Sequence, residues 1–76
     1  MVVSSIVRKR SVKISGHATS VSIETEFWEV FRNIASKKKL SVNDLLSEID
    51  KKRTSNLSSA IRIFILSELI STTEYF

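Results

Sequence analysis

The stretch TSVSIETEFWEV, residues 19–30, changes its period partway along. As far as Ile23 the apolar residues alternate, with Val21 and Ile23 on one face and Ser20 and Ser22 on the other. From Phe27 onward they recur at three and four, the spacing of a helix face. A short strand, about residues 18–23, therefore runs straight into a helix, at the head of a chain that otherwise reads as helical. Such a strand carries unpaired N–H and C=O groups on both edges, so it must find a partner.

Upstream, SVKIS (residues 11–15) alternates weakly through Val12 and Ile14, and Gly16, the only glycine, breaks the run. Two arrangements follow. Gly16 and His17 turn a hairpin pairing residues 11–15 with 19–23, or Gly16 bends one longer extended segment. Neither Gly-His nor His-Ala is a strong turn dipeptide, which favours the bend. Residues 1–10 show no sustained period and are expected to form a flexible basic arm, leaving residues 11–76 as a single domain.

Downstream, a first helix is predicted over about 25–38, with Phe27, Trp28, Phe31, Ile34 and Ala35 in one apolar stripe. Glu24 and Glu26 at its start and Lys37, Lys38 and Lys39 at its end complement the helix dipole. A second helix is predicted over about 41–52, because SVND fits a capping pattern with Ser41 as N-cap and Asp44 near the third position. Leu45, Leu46 and Ile49 form its apolar face. A third, over about 57–71 and capped by Ser55 or Asn56, has apolar residues around much of its circumference. It must be buried on several sides, more than one short chain supplies.

At 76 residues the chain buries a small share of its surface and needs a staple. Cysteine is absent and histidine occurs once, as His17, which excludes disulfides and thiolate metal sites. A second subunit is the staple that remains. VVSSIV near the start is too short for a signal peptide and precedes the basic residues, and the apolar run Ile63 to Leu66 is far below a membrane span. A cytoplasmic, membrane-free protein without cofactor is expected. The net charge of +4 is segregated. Residues 1–23 hold Arg8, Lys9, Arg10 and Lys13 with no acid, whereas residues 24–76 balance eight basic against eight acidic residues. A basic segment beside a polar strand face suits an anionic partner.

Two copies pairing their strands antiparallel across a two-fold axis would satisfy the strand edges and make a two-stranded ribbon, which fits the major groove of B-DNA. In this order of elements, TSVSIETEFWEVFRNIASKKKLSVNDLLSEI (residues 19–49) resembles the ribbon-helix-helix family of DNA-binding proteins, the MetJ/Arc class. The wider block from Lys9 to Phe64 also looks like a bacterial subfamily of small ribbon-helix-helix domain proteins. The resemblance implies a mainly α fold with a short N-terminal strand and an extra C-terminal helix, as an intertwined homodimer with an intermolecular antiparallel ribbon. It implies that Ala18, Ser20 and Ser22 lie against base edges of double-stranded DNA. It further implies phosphate contacts from Ser41, Val42 and Asn43 at the start of the second helix, and from Lys39, Arg8, Lys9, Arg10 and Lys13.

The chain departs from the family pattern in two places. Outward strand positions in the family carry long Arg, Lys, Gln or Asn side chains that read bases, and here they are serines. The third helix is absent from the minimal unit, and enlarges a dimer core or presents a surface to another protein. The implied function is a dimeric DNA-binding transcriptional regulator. The alternative is an interaction module, an antitoxin or adaptor, that dimerises through this unit and docks a protein on the third helix and the STTEYF tail. An enzyme is not expected, since no phosphate-cradling glycine pattern or convergent acid and base groups occur.

Overall fold

The computed structural model describes residues 6–73; residues 1–5 of the expected arm and 74–76 of the tail lie outside the described residues. Two strands and three helices follow in order: β1 (Val7–Ile14), β2 (His17–Glu24), α1 (Thr25–Lys37), α2 (Val42–Lys52) and α3 (Leu57–Thr73). This is a ribbon followed by two helices, with an additional C-terminal helix.

The partner of the strand is found within the same chain. β1 and β2 pair antiparallel from Val7 opposite Glu24 to Ile14 opposite His17, so the ribbon is a hairpin and not an intermolecular pair. The turn sits one residue earlier than Gly16–His17. Ser15 (φ 51°) and Gly16 (φ 83°) occupy it, both at positive φ, the pattern of a type I′ turn. Ser-Gly is a turn-forming pair, and glycine carries the more open of the two left-handed positions without a Cβ penalty. The two-residue loop sets a register that draws Arg8, Lys9 and Arg10 into β1, so these residues are strand and not flexible arm.

Local chemistry accounts for the helix ends. At the start of α1 the backbone N–H (3.0 Å) and hydroxyl (3.2 Å) of Thr25 both donate to the Ile6 carbonyl, in place of a side-chain cap from Glu24. At its end Lys39 adopts φ 59°, its N–H donates to the Ser36 carbonyl, and the Leu40 N–H donates to that of Ala35. These two bonds make a Schellman motif with lysine where glycine is usual. Ser41 caps α2 as expected, its hydroxyl accepting from the Asp44 N–H at 3.0 Å. Asn56 caps α3, its side-chain oxygen accepting from the Ser59 N–H at 2.9 Å.

The inward ribbon face, Val12, Ile14, Val21 and Ile23, closes one side of the core. Trp28, Phe31, Ile34 and Ala35 of α1, Leu45, Leu46 and Ile49 of α2, and Ile61 and Ile65 of α3 complete it. Phe31, Ile23, Leu46 and Ile61 are wholly buried, each contributing roughly 1.5–3 kcal/mol of transfer free energy. Phe27 lies at the edge of this core, half-buried.

Candidate nucleic-acid interface

Side chains on a strand alternate between faces, and paired residues share a face. Burial of Val12, Ile14, Val21 and Ile23 therefore assigns Arg8 and Arg10 to the helix side of β1, and Lys9, Ser11 and Lys13 to the solvent side. On β2 the solvent side holds Ala18, Ser20 and Ser22. Cross-strand pairing then sets Lys9 beside Ser22, Ser11 beside Ser20, and Lys13 beside Ala18. The short serines thus stand next to two long cationic side chains on one exposed face. Lys9 and Lys13 reach outward where the serines cannot.

The four basic residues first grouped as one arm consequently divide. Arg10 lies with its guanidinium 5.6 Å from the centre of the Trp28 ring, a cation–π contact against α1. Its Nε is buried without a hydrogen-bond partner, the ring face being its neighbour instead. Arg8 shares a shallow cleft with Arg10, Thr25 and the carboxylates of Glu26 and Glu29, on the side away from the serines. Neither arginine converges with the outward ribbon face.

The start of α2 is tied to the edge of β1. The Lys13 N–H donates to Asn43 Oδ1 at 3.0 Å, and the Ser15 N–H donates to Ser47 Oγ at 3.1 Å. These bonds satisfy strand-edge donors and fix the helix N-terminus beside the turn end of the ribbon. Val42 and Asn43 occupy the first turn of α2, where no acceptor within the helix reaches their N–H groups. Ser11, Val12, Lys13, Ala18, Thr19 and Asn43 together line an open cleft there. Of the lysines closing α1, Lys38 is held by Glu68 at 3.2 Å, and Lys39 is exposed just before Ser41.

One carboxylate ends the outward face. Glu24 Oε1 accepts from Nε (3.0 Å) and Nη2 (2.7 Å) of Arg62, on α3. Those guanidinium hydrogen bonds, with a backbone contribution, hold its pKa below the ordinary glutamate value. The charge of Glu24 is thereby matched within the fold. The opposite edge of the ribbon is covered by α3, where the Ser58 hydroxyl donates to the Ser22 carbonyl at 2.7 Å. Among the described residues no group of His, Cys, Asp or Glu is arranged to hold a metal ion, and no helix is long and apolar enough to cross a membrane.

Residues 7–69, nearly the whole described chain, match the family model of the ribbon-helix-helix domain. The chain belongs to the ribbon-helix-helix domain family. Among solved structures it is similar to an uncharacterized protein from Bordetella pertussis Tohama I, at 28% identity and a TM-score of 0.74. That similarity covers 91% of this chain but spans only 60% of the Bordetella chain. No curated protein matches.

Within this ribbon-helix-helix chain, the residues that the resemblance assigned to DNA come together in part. Ala18, Ser20 and Ser22 share the outward face with Lys9 and Lys13, and Asn43 adjoins Lys13. Arg8 and Arg10 do not join them. Ser11 was missed by sequence reasoning, along with the common face of Lys9 and Lys13. The signal was present in the Ser15–Gly16 pair: once the turn is set there, counting back by twos from Val12 and Ile14 turns these three residues outward.

Proposed function

We propose that the protein is a DNA-binding regulator that lays the outward face of its hairpin into the major groove. Lys9 and Lys13 supply the long donors that Ser20 and Ser22 lack, reaching guanine edges or the flanking phosphates. Ser11, Ser20 and Ser22 make short hydroxyl contacts. The Val42 and Asn43 N–H groups at the start of α2 hold a phosphate, with Lys39 adding charge, and fix the register of the ribbon. DNA binding of this kind belongs in the cytoplasm, and a homodimer would read two half-sites. The observation that carries the reading is the cross-strand pairing of Lys9 with Ser22 and Lys13 with Ala18, with the neighbouring Glu24 carboxylate held by Arg62.

The test is fluorescence anisotropy of a labelled mixed-sequence duplex titrated across a salt series. Binding should weaken linearly in log–log salt, and replacing Ser20 and Ser22 by glutamate should abolish it. Retention of full affinity by that double variant would remove the ribbon from the binding face. A second reading, an interaction module, is favoured by one observation: Ile63 and Leu66 of α3 are exposed to solvent.

A further inference from the structure

The Lys13 N–H donates to α2 and not to β2, so Lys13 and Ala18 form a cross-strand pair whose backbone groups face away from each other. Lys13 thus lies on the open edge of the hairpin, and the Ser15 N–H follows on the same side. α2 reaches both. Asn43 Oδ1 accepts from Lys13 at 3.0 Å and Ser47 Oγ accepts from Ser15 at 3.1 Å. The two acceptors are four residues apart on the helix, a rise of about 6 Å. The two donors are two residues apart, a span of about 6.6 Å in extended chain. The spacings agree, so α2 runs alongside the end of β1 in the same direction, with its first turn level with Lys13.

Asn43 and Ser47 are the uncharged polar residues of α2, and both go to this contact. Each is a weaker helix former than alanine. Both bonds are exposed, where water can replace either acceptor at small cost. Satisfying the strand edge is therefore a weak reason for them, and register is a better one. Val12 and Ile14 of the ribbon share the core with Leu45, Leu46 and Ile49 of α2. Apolar contact of this kind is non-directional. It holds the helix against the ribbon without fixing where along the strand the helix begins. Two directional bonds, matched in spacing, do fix it. The far edge of the hairpin is held in its turn by Ser58, through the Ser22 carbonyl.

We propose, resting on the DNA-binding reading above, that Asn43 and Ser47 are positioning residues for the duplex. Their side chains lock the first turn of α2 to the strand that carries Lys9 and Lys13. The Val42 and Asn43 amides then meet a phosphate in the same docking event that seats the ribbon. Ser47 stands a full turn behind the contacting end of the helix and acts only through its bond to Ser15. Without the two bonds, ribbon and helix end move relative to one another, and binding must supply the cost of aligning them.

The test uses the full chain and anisotropy of the labelled mixed-sequence duplex. Ser47→Ala should bind ~10-fold more weakly, the worth of about one hydrogen bond. It should keep the salt slope of the wild type, since no cation is removed. Ser47→Thr keeps the hydroxyl and should restore the affinity, whereas Asn43→Ala, which keeps its backbone N–H, should match Ser47→Ala. Amide nuclear magnetic resonance at saturating duplex supplies a signature that fold stability does not move. In Ser47→Ala the Lys9 and Ser22 amides should still shift, while the shift of the Val42 and Asn43 amides seen in the wild type is lost. Ser47→Ala binding as tightly as the wild type overturns the assignment alone. So does a weakened variant whose Val42 amide still shifts fully, because the bonds are then merely structural. A wild type that leaves the duplex free overturns the DNA-binding reading, and the assignment falls with it.

Discussion

Replacing Lys9 and Lys13 together by alanine separates the two faces of the ribbon. Both side chains leave β1 on the solvent side, four residues apart, which is about 13 Å along a strand. Each lysine that neutralises a phosphate adds about 0.9 to the slope of log affinity against log salt. The double variant should therefore lower the slope by about 1.8 for each chain bound, a loss of roughly 60-fold per chain at 0.1 M salt that vanishes toward 1 M. The assay is anisotropy of a labelled duplex, with urea unfolding as a control, since neither side chain is buried. Arg8→Ala provides the contrast. It removes the same charge from the helix side, beside Glu26 and Glu29, and should leave the slope unaltered. A double variant that keeps both slope and affinity, or an Arg8 variant that loses as much per charge, would refute the division of the ribbon into two faces.

Three further outcomes follow from the backbone and from Glu24. Gly16→Ala should destabilise by about 1 kcal/mol in urea unfolding, from the left-handed conformation alone; a Cβ there meets nothing within 4 Å. Lys39→Gly should stabilise by about 1 kcal/mol, because Lys39 sits at φ 59°, while weakening DNA binding through the lost charge; thermal melting and anisotropy report the two effects separately. Glu24 has its pKa lowered in the folded state, so its pairing with Arg62 stabilises fully above the unfolded value of roughly 4.3 and fades as pH falls through the lower folded value. Glu24→Gln should flatten that acid limb in urea midpoints measured against pH, and an unchanged limb would mean that the pair does not shape acid stability.

The helices of this protein were legible because their signals are local. The three-and-four spacing from Trp28 to Ala35, the Ser41 cap on Asp44 and the Asn56 cap each lie within a few residues of what they organise. β2 was legible for the same reason, its alternation being complete within His17–Glu24. β1 was not. Its start at Val7 follows from pairing with Glu24, and that pairing depends on whether the turn begins at Ser15 or Gly16. A shift of one residue there moves every cross-strand pair by two, and with residues 1–10 read as a flexible arm Arg8, Lys9 and Arg10 were assigned to no face and were grouped with Lys13 by charge alone.

By itself, then, the sequence determined a ribbon followed by helices, the caps that bound them, and a serine face awaiting longer neighbours. Only the tertiary structure decided which cations those neighbours are. It turned Lys9 and Lys13 outward, laid Arg10 on Trp28, and brought Asn43 to the edge of β1. It also directed both charges of α3 inward, leaving Ile63 and Leu66 exposed. The physical reason is distance along the chain. Periodicity and capping act over one or two turns, whereas strand register and ion pairing join residues that only the closed core brings together.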